Sequence, residues 1–197
     1  LHLCDRRQRQ MCIRDRNKLL RIKLLIVSRF LRLCKFISNE KYRKISNYYF
    51  KNCGVIFHGI PKYINYDVDF DLTSPGLIHV GNNTVIAKQT ILLTHDFSIE
   101  CGLETVGKTY SDYEMQFLKE IHIGNNCFIG ARSFILPGTT IGNNCIVGAG
   151  SVVSGNVPDD SVIAGNPAVI ICRTSEWAEK KYREKTFVKG TPKYRKN

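Results

Sequence analysis

Long apolar runs are missing from this 197-residue chain. Its most apolar stretch, Leu19–Phe36, is interrupted by Lys or Arg at positions 21, 23, 29, 32 and 35, whereas a bilayer-crossing helix needs roughly 18 to 20 apolar residues in succession. No transmembrane helix is expected. A secretory signal is missing too, because the basic start leads into no apolar core with a small-residue cleavage site, and a cytoplasmic location is expected. Eight Cys are present but no CxxC and no Cys/His cluster, which argues against a disulfide framework or a zinc module. Acidic residues are scarce, 17 against 29 basic ones, for a net charge of +12. That balance suits nucleic acid, a membrane surface or a phosphorylated ligand, and no nucleic-acid motif accompanies it. With 43% apolar and 23% charged residues, the chain has material for one substantial core and one main domain.

The first residues are set aside. Arg6–Asp15 (RRQRQMCIRD) reads codon for codon as a translated tagmentation adaptor, continuing into Arg16, so residues 1–16 are treated as a sequencing artefact. Without their five Arg and two Asp the net charge falls from +12 to +9, and six Cys remain.

What the chain does have is a repeat. Ile123–Thr140 (IGNNCFIGARSFILPGTT) lies on Ile141–Pro158 (IGNNCIVGAGSVVSGNVP), with an aliphatic residue returning at Ile123, Ile129, Ile135, Ile141, Val147 and Val153. A helix repeats at 3.6 and a strand at 2, so a strict period of six describes short strands joined by tight corners. Three such sides make a coil, and Asn and Gly suit the left-handed backbone of the corners. Val80-Gly81-Asn82-Asn83 with Ile86 and Leu92 repeats the scheme, Val55–Leu77 follows it loosely, and about four coils are expected.

On these residues, together with DFDLTSPGLIHVG (69–81), TILLTHDFS (90–98), ILPGTTIG (135–142), VGAGSVV (147–153) and IAGNPA (163–168), the chain resembles the hexapeptide-repeat acyltransferases. The resemblance covers about residues 50–175. It points to the galactoside, maltose and xenobiotic acetyltransferase branch, and within it to O-acetyltransferases of bacterial capsule and surface-polysaccharide synthesis. It implies an all-β fold, a left-handed parallel β-helix that trimerises, with acetyl-CoA as acyl donor. The expected organisation is a basic helical segment over 17–50, the β-helix over 51–172 with an inserted loop at about 93–122, and a C-terminal helix and basic tail over 173–197. Within the first segment, Lys18–Phe36 and Glu40–Phe50 read as helices that cap the open prism or touch an anionic membrane surface. Ser175 reads as the N-cap of Ser175–Lys185.

The hexad rhythm lapses after Leu92 and resumes at Ile121 or Ile123, and an insertion of that length in a compact domain is as a rule either functional or disordered. It carries His95, which the resemblance places at a cleft between subunits. A hydroxyl must lose its proton as it attacks a thioester, and an imidazole can take that proton and return it to the departing thiolate. No Cys or Ser sits in a nucleophile motif, so direct transfer is expected rather than an acyl-enzyme. Asp69 and Asp71 either bind sugar hydroxyls or cap a turn, and the orienting partner of His95 stays open. The resemblance assigns acetyl-CoA contacts to Gly130, Ala131, Gly148, Ala149, Ser154, Asn166 and Pro167, although the corners would demand small residues in any case. Val169 and Ser154-Gly155 stand where the family often has cations, so Arg173, Lys180 or Lys181 is expected at the phosphates. His79 and His122 precede inward aliphatics and so face outward. A metal cluster does not follow from the spacing of His58, His79, His95 and His122, and no metal is expected. Cys127 and Cys145 share a register position and should stack as reduced thiols.

The leading reading is an O-acetyltransferase acting on a sugar or glycan precursor as a homotrimer. An N-acetyltransferase of an aminosugar, an antibiotic acetyltransferase, and a non-catalytic scaffold module are the alternatives.

Overall fold

A computed structural model describes residues 26, 30, 31, 39–71, 73–108, 112–185, 187 and 188. The adaptor-like residues 1–16 and most of the predicted helix Lys18–Phe36 lie outside them; Ile26, Phe30 and Leu31 are helical. The chain winds as a left-handed parallel β-helix, coil upon coil. Coil one contains β1 (Ile56–His58), β2 (Tyr63–Ile64) and β3 (Asp69–Phe70), and coil two contains β4 (Ile78–Gly81), β5 (Val85–Ile86) and β6 (Ile91–Leu92). After an excursion holding β7 (His95–Asp96) and β8 (Phe117–Leu118), coil three resumes with β9 (Ile121–Ile123), β10 (Phe128–Ile129) and β11 (Phe134–Ile135). Coil four is β12 (Thr140–Ile141), β13 (Ile146–Val147) and β14 (Val152–Val153), and a partial fifth coil has β15 (Asn156–Val157) and β16 (Ser161–Gly165). The three faces are the parallel sheets β1-β4-β9-β12-β15, β2-β5-β10-β13-β16 and β3-β6-β11-β14.

Each hexad aliphatic points into the prism. Ile123, Ile129, Ile135, Ile141, Val147 and Val153 are all buried, and such a side chain contributes about 1.5–3 kcal/mol when taken from water. Two residues before the aliphatic in many hexads sits a second buried position, filled by small polar side chains that bond to a carbonyl one coil on. Thr84 Oγ1 donates to Gly124 O (2.8 Å), Ser133 Oγ to Gly148 O (3.1 Å) and Cys127 Sγ to Gly142 O (3.0 Å). Cys127 and Cys145 are thus free thiols in a position otherwise held by Ser or Thr. At the corners Asn83, Asn126 and Asn144 adopt φ of 56–57°, as Asn tolerates. Gln89, Arg132 and Asp160 do the same without the sequence signal. Along one edge the Asn side chains form a ladder: Asn82 N donates to Asn125 Oδ1 (2.8 Å), Asn125 N to Asn143 Oδ1 (2.9 Å) and Asn143 N to Asp159 Oδ1 (2.7 Å).

The ends are closed differently. Helix α1 (Asn39–Asn52) packs Phe50 on Phe70 with ring centroids 4.8 Å apart, and sends the buried Tyr42 hydroxyl to Ile64 O at 2.8 Å. At the other end β17 (Ala168–Arg173) folds back antiparallel on β16. The excursion contains α2 (Ser98–Thr105), and the C-terminal helix is α3 (Thr174–Glu184). Ser175 is not its N-cap: it lies within the first turn, and Asp160 caps from outside, taking the Ser175 amide at 2.9 Å and its hydroxyl at 2.7 Å.

Coil spacing sets the tolerance of each glycine. A Cβ on Gly130 would stand 2.5 Å from the Ala149 nitrogen, whereas one on Gly102, in α2, meets nothing within 4 Å. In urea melts Gly130→Ala is expected to lose about 1–3 kcal/mol and Gly102→Ala to gain up to about 1 kcal/mol. Equal effects at both positions would contradict this account of the stack.

Candidate active site

The coil register persists just past β6, where the Leu93 amide still donates to Ile135 O at 2.9 Å. The chain then leaves the prism. β7 pairs antiparallel with β8, His95 opposite Leu118, and the Lys119 amide returns to Thr94 O at 2.9 Å, so the excursion has a narrow neck. Further out, Glu100 in α2 accepts the Met115 amide. An irregular loop is therefore anchored at its base, where His95 sits.

Beneath that neck lies Asp71. Its amide donates to Leu92 O at 3.1 Å, which sets it one coil below the start of the excursion. Its side chain is only 3% exposed and both oxygens are engaged. Oδ2 accepts from His95 Nδ1 at 2.5 Å, the Thr94 hydroxyl at 2.6 Å and the Thr94 amide at 2.9 Å, and Oδ1 accepts from the Thr73 hydroxyl at 2.6 Å. Burial alone would push this carboxyl up, but the bonds from Thr73, Thr94 and His95 outweigh it and hold it at about 2. Asp71 is therefore an anion at neutral pH and can only accept. The bond to Asp71 therefore takes a proton from His95 Nδ1, and in the neutral imidazole this tautomer leaves a lone pair on Nε2. The ring is 27% exposed and meets Phe97 edge-on at 5.5 Å.

The other expected residues are scattered. Asp71 was expected to touch sugar hydroxyls or cap a turn; with its oxygens saturated it faces His95, and its bond to the Thr73 amide makes the turn as well. Asp69 is exposed on β3, and Asp96 turns to the Ser98 amide rather than to His95. Ala131 and Ala149 lie at one corner of successive coils, joined where the Gly150 amide donates to Ala131 O at 2.9 Å. Gly130 is buried and packed on the next coil, and the half-buried Gly148 packs against Ala164. Ser154 is exposed past β14, and Asn166 and Pro167 form the exposed turn between β16 and β17. Arg173 reaches Asp160 at 3.0 Å, so the cation expected at the phosphates already has an anionic partner.

Comparison with known proteins gives the family. The model "Hexapeptide repeat of succinyl-transferase" matches residues 120–154. Protein CapG of Staphylococcus aureus is 40% identical over 140 residues, covering 71% of this chain and 73% of CapG. The chain belongs to the hexapeptide-repeat acetyltransferase family. WbbJ of Escherichia coli, which carries the name of a lipopolysaccharide biosynthesis O-acetyl transferase, is 33% identical over 68% of this chain and 64% of its own length, so the chain spans just under two thirds of it. The crystal structure of a maltose O-acetyltransferase from Clostridium difficile shares the fold, with a TM-score of 0.52 at 24% identity over 79% of this chain and 88% of that one.

Within this acetyltransferase, two groupings were not apparent in the sequence. One is Asp71 with Thr73, Thr94 and His95. The other lies on the face of β1, β4 and β9, where His58, His79 and His122 gather with Glu120; His79 and His122 do face outward, but their rings stack at 4.4 Å rather than standing alone. The Asp71 carboxyl falls from its ordinary 3.8 to about 2 on folding, so its contribution is complete above pH ~4 and is lost as pH falls toward ~2, about 2 kcal/mol in all. Acid titration of stability should show that loss in the wild type and not in Asp71→Asn; identical slopes for both would refute the carboxylate's role.

Proposed function

We propose that this acetyltransferase transfers the acetyl group of acetyl-CoA to a hydroxyl of a sugar in a surface-polysaccharide precursor, with His95 as general base. The observation that carries the reading is the buried Asp71 carboxylate holding Nδ1 of a partly exposed imidazole. With Nδ1 protonated, Nε2 accepts the proton of the acceptor hydroxyl while its oxygen attacks the thioester carbonyl. The C–S bond then breaks, and the same proton passes from Nε2 to the departing thiolate. Asp71 stabilises the imidazolium between these steps, and Thr73 and Thr94 fix the carboxylate so that no reorganisation is needed as charge develops.

The donor is acetyl-CoA by analogy with the acetyl-CoA complex of a hexapeptide-repeat acetyltransferase of Vibrio cholerae that shares this fold. The row of small corner residues Ala131 and Ala149 offers a strip of accessible backbone for the pantetheine arm. The name carried by WbbJ favours a polysaccharide hydroxyl as acceptor. Assembly as a homotrimer, with the donor in a groove between subunits, is supported by large apolar side chains on the outer faces, Phe128 at 45% and Phe134 at 39% exposure, and Leu118 at 50% on the excursion. Among the described residues no helix is long and apolar enough to cross a membrane.

Thiol release from acetyl-CoA, measured across sugar, aminosugar and antibiotic acceptors, tests the proposal. A sugar hydroxyl should be acetylated, His95→Ala should lower turnover by roughly 10²–10⁴-fold, and calorimetry should show CoA affinity retained. Unchanged turnover in His95→Ala would remove the base, and transfer to amines alone would replace the acceptor. Sedimentation should give a particle of three 22.5 kDa chains.

A further inference from the structure

The face formed by β1, β4 and β9 carries a second cluster that acyl transfer does not use. Residues i and i+2 of a strand share a face, and a parallel neighbour sets its own side chain beside them. Glu120 and His122 stand in that relation across the start of β9, and His79 of β4 is the register partner of His122. The two rings stack with centroids 4.4 Å apart, and Glu120 Oε2 reaches His122 Nε2 at 2.8 Å. One donor atom from each of His79, Glu120 and His122 lies within 4.8 Å of the others. Beside them His58 Nε2 meets His79 Nδ1 at 2.9 Å, a contact that orients the His79 ring.

We propose that His79, Glu120 and His122 bind a zinc ion, with His58 as the outer partner that orients His79. Two imidazoles and one carboxylate are the donors that zinc takes at about 2.0–2.2 Å, with water in the fourth position. Oxygen-seeking magnesium or calcium would find one ligand here. Tetrahedral donors around zinc stand roughly 3.4 Å apart by these bond lengths, so the cluster needs only small side-chain rotations to close, and Glu120 and His122 are about half exposed and free to make them. The His58–His79 bond is the kind of outer contact that fixes tautomer and ring angle in metal sites. An exposed Glu–His pair alone contributes little, and it gives no reason for two further rings to converge on it.

The position of the cluster gives the ion a task. His79 belongs to coil two, while Glu120 and His122 open coil three, and the whole catalytic excursion runs between them. Zinc there would clamp the coils on either side of the loop that carries His95.

The test uses the full chain stripped of metal with chelator, titrated with zinc chloride and separately with cobalt(II), whose visible absorption reports tetrahedral nitrogen and oxygen ligation. One zinc should bind per chain and raise the melting temperature, since a ligand of the folded state stabilises it by mass action. His79→Gln, His122→Gln and Glu120→Gln should each weaken binding at least tenfold and abolish the thermal shift, and His58→Gln should weaken it less. Melting in chelator verifies that each variant folds. The proposal is overturned by no zinc binding in the micromolar range, or by undiminished binding in the His79→Gln/His122→Gln double variant, which would place the ion on His95 or a thiol. Neither readout involves acetyl transfer, so failure here leaves the proposed activity untouched.

Discussion

The molecule is governed by the distance between neighbouring strands, about 4.8 Å, repeated at every coil. Whatever occupies a register position must tolerate its counterpart directly above and below. Backbone polar groups meet this through the parallel ladders, and the corners meet it through Asn side chains that accept an amide from one coil and belong to the next. At the tightest points no side chain fits: a Cβ on Gly81 would lie 2.4 Å from Gly124 O, and one on Gly124 2.5 Å from Gly142 O. In many hexads a side chain with a hydroxyl or thiol fills the buried position two before the aliphatic because a small donor can reach the carbonyl one coil on.

That same stacking builds the site. Asp71 belongs to coil one and His95 to the excursion from coil two, and only their vertical superposition joins them. The carboxylate is costly to bury and is compensated by several hydrogen bonds, so it is held rigidly as an anion before any substrate arrives. The rigid part of the fold thus supplies the charge, and the loop supplies the imidazole.

The six-residue period and the coiled fold were legible because Ile123–Pro158 repeats at an offset of 18, the number of residues in an uninterrupted coil. His95 was singled out as the candidate base through its family motif. The partnership with Asp71 was not, because coil one is looser: Asp69 pairs with Ile91 at an offset that the hexad pattern does not announce. The histidine stack was hidden for a related reason, since the excursion stretches the offset between coils two and three to 43 residues. A signal was nonetheless present. Superposing IHVGNN (78–83) on IHIGNN (121–126) brings His79 onto His122 without any structure. Ser175 was misread as a cap because Asp160, at a corner with left-handed φ, engages its amide and hydroxyl from outside the helix.

Parallel stacks of this kind offer open edges at both ends, and an edge invites a further layer. Here Phe50 and Tyr42 of α1 close over the first coil, and at the far end β17 runs against the parallel strands of its own sheet. A single reversed strand on one side of the triangle destroys the three-way match that another prism would need to continue the winding. The number of turns is thereby counted rather than open, end-on fibre growth is denied, and association is left to the flanks.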